Sequence, residues 1–302
     1  MIYVKLVLSA LFSCFIVVGW RMIVGEISPY SAMFIRFGVA SALMFLLLWK
    51  RGELGQIKRL SGKQWAAFGF LSLSGVVGYN LFMLLGLETV PAARAGVVYG
   101  LFPLFTWVAA WLFLREKFTL RSFSGSLICL GGVLLALSRG RAEFTGNLAP
   151  GMGDLWILLS LLCWVSYGLI STWLVRVLNP VFVTAFMCIL AAFMLLPMAL
   201  GEGLGRAVWL TEWEPWAVLV VQGVFSTTIA SLWYCEGLER LGAGKAALFM
   251  NLLPLGTVFM AAVFLSEPVV MFQVIGAAMV CLGVWVAGCN RKQDPLKRAF
   301  HA

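Results

Sequence analysis

Apolar residues occur along this chain in ten runs separated by short polar punctuation, at 3–22, 29–49, 65–85, 92–114, 121–138, 152–174, 180–200, 215–234, 243–265 and 270–289. Each run is close to the ~20 residues a helix needs to cross the hydrocarbon of a bilayer, where backbone donors and acceptors must be satisfied without water. The pattern predicts an all-α integral membrane protein with ten transmembrane helices. The first run has features of a secretory signal, with Lys5 ahead of it and Leu11-Phe12-Ser13-Cys14 matching a loose lipoprotein box. It continues through Phe15, Ile16, Val17 and Val18 without a small-residue cleavage pattern, so it reads as the first span.

The runs repeat. Landmarks recur 151 residues further on: Pro29 with Pro180, Trp65 with Trp216, Gly86-Leu87-Glu88 with Gly237-Leu238-Glu239, Pro103 with Pro254, Glu116 with Glu267, Gly125 with Gly276 and Gly132 with Gly283. The chain is one five-span module written twice, and an odd number of spans sets the two copies in opposite orientations, the plan of an alternating-access carrier. Residues 1–140 form the first repeat, 141–151 an external linker, 152–290 the second, inverted repeat and 291–302 a basic cytoplasmic tail.

Composition agrees, because 62% hydrophobic and 12% charged residues exceed what a soluble core of this length could hide. The formal charge of +9 raises the question of nucleic acid. The cations, however, sit in short groups beside apolar runs and never in a stripe interleaved with stacking aromatics, which leaves them as topology signals. In 50–63, Lys50, Arg51, Lys58, Arg59 and Lys63 oppose Glu53, a net +4; in the equivalent 201–214, Arg206 opposes Glu202, Glu212 and Glu214, a net −2. The first loop is therefore expected inside and the second outside. Arg115, Lys117 and Arg121 around Glu116, and Arg291, Lys292, Lys297 and Arg298 in the tail, put both termini in the cytoplasm. The turn with Glu236, Glu239 and Arg240 falls inside despite a net −1, since acidic residues count little in this rule. Seven scattered cysteines show no metal-ligand spacing, and no Walker loop, dinucleotide fingerprint or HExxH occurs. The chain is expected to be neither a cofactor protein nor an enzyme.

Several segments resemble a known family. They are Pro29 with Arg36-Phe37, Ala92-Ala93-Arg94-Ala95-Gly96 through Leu101-Phe102-Pro103-Leu104-Phe105, and Phe113-Leu114-Arg115-Glu116 before Gly125 and Gly132. The second copy has Gly244-Lys245-Ala246-Ala247, Leu252-Leu253-Pro254-Leu255, Phe264-Leu265-Ser266-Glu267, Gly276 and Gly283. The chain resembles the drug/metabolite transporter superfamily, in its bacterial EamA branch of ten-helix exporters, over nearly its whole length. Departures are Met187-Cys188 in place of Arg36-Phe37 and Ser266 in place of Arg115. The resemblance implies a secondary transporter of the bacterial inner membrane that exports amino acids, aromatic ones among them, or related metabolites. Export of drugs or organic cations is the alternative, with a channel or membrane sensor behind it. A monomer and a homodimer both remain open.

Candidate site residues follow from what a span can tolerate. An ionisable group inside the hydrocarbon must face a wet cavity, find a partner or snorkel to the surface. Arg36 lies too deep to snorkel easily, which leaves a cavity or gate role or half of an interhelical ion pair. Arg94 and Lys245 are repeat partners at opposite mouths, placed either to receive a carboxylate and steady a gate or to reach headgroups. Pro103 and Pro254 break otherwise apolar helices near mid-depth and free a carbonyl upstream. Around them Val98, Tyr99, Phe102, Phe249, Met250 and Asn251 are candidate lining residues. Tyr79 and Asn80, Trp233 and Tyr234, and the stripe Trp164, Tyr167 and Ser171 add rings and hydroxyls suited to a solute with an apolar part and a zwitterionic head. No Asp or His lies mid-span, so no proton site is expected at the bilayer centre. Glu116 and Glu267 read as N-terminal caps of the fifth and tenth helices, and Gly125, Gly131, Gly132, Gly276 and Gly283 as close-packing positions against the bundle or a second protomer.

In a background free of native cysteines, single cysteines in 50–63 and in the tail should resist an impermeant thiol reagent in intact cells, whereas cysteines in 201–214 should react. Equal labelling of the two equivalent loops would overturn the inversion.

Overall fold

The computed structural model describes residues 1–23, 25–87, 89, 95, 98–116, 119–138, 151–204, 212–265 and 270–288, and among these every regular element is helical. Arg94, Glu267, residues 141–150 of the linker and the tail 291–302 lie outside the described residues. The helices are α1 (Ile2–Ile23), α2 (Pro29–Lys50), α3 (Gly62–Leu87), α4 (Phe102–Leu114), α5 (Leu120–Ser138), α6 (Met152–Val175), α7 (Pro180–Gly201), α8 (Trp213–Leu241), α9 (Ala243–Met250 and Leu252–Leu265) and α10 (Met271–Gly288). Seven of them are long and apolar enough to cross a bilayer, while α4, α5 and α10 are shorter apolar helices.

Local chemistry sets the ends. Pro29 and Pro180 occupy the first helical position of α2 and α7, where the missing N–H costs nothing. Asn179 caps α7 by accepting from the Val181 amide at 2.9 Å. At the start of α3, Ser61 and Gln64 form a reciprocal capping box. The fourth and ninth spans break at Leu101 and Asn251, where each amide bonds three residues back, to Val98 and Leu248. Pro103 and Pro254 thus fall just after a break, at the start of a new helical segment, as their lost donor requires. The third and eighth spans instead carry π-helical segments, Leu73–Gly78 and Gln222–Ile229. These segments overlap under the 151-residue shift, so the distortion belongs to the repeat.

Contacts between the copies come in matched pairs. The Ser9 hydroxyl donates to the Ala230 carbonyl at 2.7 Å, and its equivalent, Ser160, donates to the Tyr79 carbonyl at 2.8 Å. Gly237 admits Leu6 as Gly86 admits Ile157. The Cys129 thiol lies 3.5 Å from the carbonyl of Val280, its own repeat equivalent, which places a pseudo-twofold axis between α5 and α10. Around that axis α1 packs on α8 and α9, α6 packs on α3 and α4, and α2 lies along α7.

At the α5–α10 crossing backbone meets backbone. A Cβ on Gly132 would lie 2.6 Å from the Gly276 carbonyl oxygen, and one on Gly125 would lie 2.6 Å from that of Gly283. Of the two expectations for these glycines, the structure shows packing within the bundle.

The charged side chains gather by end. Lys5 pairs with Glu236, and Glu116 with Arg176 at 3.7 Å, joining the starts of α1 and the ends of α4, α6 and α8. At the opposite end the Tyr30 amide donates to Glu202 at 2.8 Å, and Ile23, Ile27, Ala32 and Leu219 form a small core with Trp20 and Trp216 around it. Lys5 explains how the acidic turn of α8 fits among basic neighbours.

Gly132→Val should destabilise the fold by about 1–3 kcal/mol, because the facing carbonyl is backbone and cannot swing aside. Melting in detergent checks it, with Gly69→Ala as control, since nothing lies within 4 Å of a Cβ built there. Matching melting curves for the two variants would show that the helices do not depend on this contact.

Candidate solute site

Arg36 is carried by α2, which packs along the π segment of α8. Its backbone carbonyl sits where a Cβ on Gly223 would approach to 3.0 Å, in the π segment of α8. Its guanidinium lies within electrostatic range of Tyr79, the residue that follows the π segment of α3, and of Cys188 of α7. The guanidinium carbon lies 5.2 Å from the Phe37 ring centroid, and Nε is buried without a hydrogen-bond partner. No carboxylate pairs with Arg36 among the described residues, so the ion-pair alternative finds no support there. A half-buried cation without a counter-charge is costly in a bundle core, and an incoming anion would lower that cost.

Beside it runs a row of rings. Tyr99 and Tyr79 meet edge to face with centroids 6.2 Å apart, Tyr79 and Trp164 are 5.0 Å apart, and Trp164 stacks on Tyr167 at 4.8 Å and 8°. Ser160 ties the row together by bonding both the Tyr99 hydroxyl and the Tyr79 carbonyl. Val98, Phe102 and Met250 pack with Tyr99 and Trp164 around Leu161, Val165 and Ala247. The π segment of α3 makes room for this row: a Cβ on Gly75 would lie 2.5 Å from the Tyr167 ring. Tyr234 approaches from α8, its hydroxyl 3.7 Å from a Cβ built on Gly168. Ser171, one turn beyond Tyr167, is buried with its hydroxyl unpartnered, as are the hydroxyls of Ser72, Ser74 and Thr227 in or beside the π segments. Asn251 is buried at the break in α9 with Nδ2 unpartnered.

Other residues from the sequence reading lie elsewhere. Asn80 donates to the Val76 carbonyl in its own helix at 2.6 Å, filling a bond that the π turn displaces. Trp233 stacks on Phe12 of α1, and Phe249 lies against Tyr3. Consecutive helix positions diverge by about 100°, so Trp233 faces α1 while its neighbour Tyr234 faces inward. Pro254 has the same place in its helix as Pro103, and Lys245 is half-buried in the first turn of α9 without an ion pair among the described residues.

Sequence reasoning missed the π segments, the role of Ser160 and the true partner of Glu116. Gly75, Gly78 and Gly223 inside long apolar runs were the available signal for the first, and the equivalence of Ser9 and Ser160 for the second. For the third there was no signal. Glu116 does not cap the fifth helix; Thr119 does, accepting from the Ser122 amide at 3.2 Å. Arg115 takes a left-handed conformation, φ 55°, which turns the chain and sends the Glu116 carboxylate across to the start of α9. There it accepts from the amides of Ala243 at 3.0 Å and Gly244 at 3.3 Å. Gly242, φ 83°, permits the approach, since a Cβ there would lie 2.5 Å from Glu116 Oε1.

The profile of the EamA-like transporter family matches residues 1–138 and again 151–289. The chain belongs to that family. An uncharacterized transporter of Bacillus subtilis, YyaM, is 29% identical over 87% of this chain and 86% of its own length. A second uncharacterized transporter, from Archaeoglobus fulgidus, is 26% identical over 89% of this chain and 90% of its own. A WAT1-related protein of Arabidopsis thaliana is 26% identical over 80% and 74% respectively. One solved crystal structure superposes with a TM-score of 0.78 over 96% of this chain and 99% of its own, at 21% identity, which shows the shared fold. This EamA-family protein is thus a multi-pass membrane transporter of the drug/metabolite type.

Glu116→Ala should speed amide exchange at Ala243 and Gly244 by about three- to thirty-fold, the range that loss of a helix cap produces. Glu116→Gln, which keeps an acceptor, should fall between. Unchanged exchange in both variants would show that the carboxylate does not hold α9.

Proposed function

We propose that this transporter is a secondary carrier that moves amino acids or related small metabolites outward across the bacterial inner membrane by alternating access, with both termini cytoplasmic. The observation that carries this reading is Arg36, a cation at mid-bundle with an orphaned donor, beside a row of four aromatic rings. The guanidinium supplies charge-assisted hydrogen bonds for a carboxylate, and the rings supply apolar faces for a side chain. The pseudo-twofold packing supports the transport mode, because two inverted copies around one site can exchange conformations and expose it to either side in turn. The two repeats, residues 1–140 and 152–290 joined by the external linker 141–151, exchange conformations in this scheme, each carrying the first helix of the other as it moves. Tyr79, Tyr99, Val98, Phe102, Trp164, Tyr167 and Tyr234 are the residues assigned to the solute, with Ser171 and Asn251 as polar neighbours. Arg94 and Lys245 are assigned to the two mouths.

Proteoliposomes loaded with aromatic and aliphatic amino acids, sugars or organic cations test this directly. Arg36→Gln should cut transport of L-phenylalanine about tenfold or more, the worth of a hydrogen bond to a charged group, and spare phenethylamine, which lacks the carboxylate. Arg94→Gln and Lys245→Gln should show the same selectivity with smaller losses. Strong transport of permanent cations, indifferent to all three substitutions, would reject amino-acid export in favour of drug export.

A further inference from the structure

A polar cavity of about 520 Å³ that shares no lining residue with the ring row lies at the end of the bundle where α2 and α8 finish and α6 turns into α7. Its walls bring Arg51 from the end of α2, Arg176 and Asn179 from the α6–α7 turn, and Glu236, Glu239 and Arg240 from α8. These three cations come from three separate elements, and their exposed side chains border one concave space. Two of the charges are already used, Glu236 by Lys5 and Arg176 by Glu116 at 3.7 Å. Arg51 and Arg240 have no ion pair among the described residues, and only Glu239 opposes them. The cavity therefore carries a net positive field and a volume suited to a small molecule.

Its position relates it to Arg36. Arg51 stands fifteen residues after Arg36 and continues the helical turn of α2. That spacing puts the two Cα positions about 22 Å apart along one helix and within about 60° around it. Between them lies closed core: Ala40, Met44 and Leu48 of α2 pack with Phe182 and Phe186 of α7 and Leu238 of α8. The cavity is thus a vestibule before a shut gate, with a second cation beyond it.

We propose that the Arg51–Arg176–Arg240 vestibule is a reception site for the carboxylate of the solute, occupied before the core opens toward Arg36. This rests on the carboxylate reading above and adds a separate site to it. The opposed Glu239 gives the vestibule a partner for the amino group of a zwitterion, and so biases it toward amino acids over simple anions. Arg176 is the group that links reception to the gate, because a solute that takes it competes with Glu116, whose carboxylate holds the start of α9.

Equilibrium binding of radiolabelled L-phenylalanine and 3-phenylpropionate to protein in phosphatidylcholine nanodiscs tests the vestibule apart from the central site. Arg36→Gln removes the central cation, and binding that remains reports the vestibule. Adding Arg51→Gln and Arg240→Gln should weaken that remaining binding about tenfold or more, while Arg51→Lys with Arg240→Lys on the Arg36→Gln background should retain most of it, separating charge from folding. The proposal is overturned if Arg36→Gln protein binds neither ligand, or if the triple variant binds as Arg36→Gln does. It is also overturned in favour of a lipid headgroup if the arginine substitutions matter only when phosphatidylglycerol is present. Failure of the amino-acid reading itself would show separately, as equal transport of L-phenylalanine and phenethylamine by the unmodified protein.

Discussion

Each repeat lends its first helix to the other. Helix α1 lies on α8 and α9 and α6 lies on α3 and α4, so neither five-helix copy closes a core alone. Because lipid tails offer no hydrophobic gain for helix association, the contacts that hold such a bundle are close packing and hydrogen bonds between helices. Both are present in duplicate: the Ser9 and Ser160 hydroxyls pin the exchanged helices, and the glycine crossing of α5 and α10 fixes the axis about which the exchange is symmetric. Everything placed near that axis, Arg36 included, depends on this pairing.

On this symmetric frame the chemistry is one-sided. Arg36 has Met187 as its equivalent and Tyr79 has Ala230, so the cation and the ring beside it exist once. The π segments are shared by both copies, yet only that of α3 leads into the ring row; that of α8 lies against α1, where Gln222 and Ser226 donate to the backbone carbonyls of Phe15, Ile16 and Phe12. Such segments shift the helix face by about one residue and often mark functional positions. Here the same distortion serves two ends. In one copy it seats a ring row and in the other it seats a helix.

The charged end shows a comparable division of labour. Lys5 neutralises Glu236, and Glu116 spans from the first copy to the first turn of α9. A carboxylate at a helix N-terminus meets unpaired amides and the positive end of the helix dipole, so it needs no cation to be stable there. Arg176 at 3.7 Å is thereby a loose partner, half in the vestibule, and can be shared. In the carrier mechanism proposed above, that looseness is the property a gate requires.

The sequence by itself determined the ten apolar runs, their twofold recurrence and the family. All three are properties of composition and spacing that the bilayer enforces span by span, since each helix must satisfy its own backbone. It also singled out Arg36, because a deep cation stands out against apolar neighbours, and the ring pairs of the third, fourth and sixth spans. Only the tertiary structure decided that Trp233 turns toward α1 while Tyr234 turns inward, that Glu116 caps α9, and that Arg51, Arg176 and Arg240 share one cavity. These outcomes depend on helix rotation and on which copy each helix joins. Inside a membrane nearly every face of a span is apolar, so hydrophobic periodicity, which would orient a helix in a soluble protein, carries too little information to fix either one.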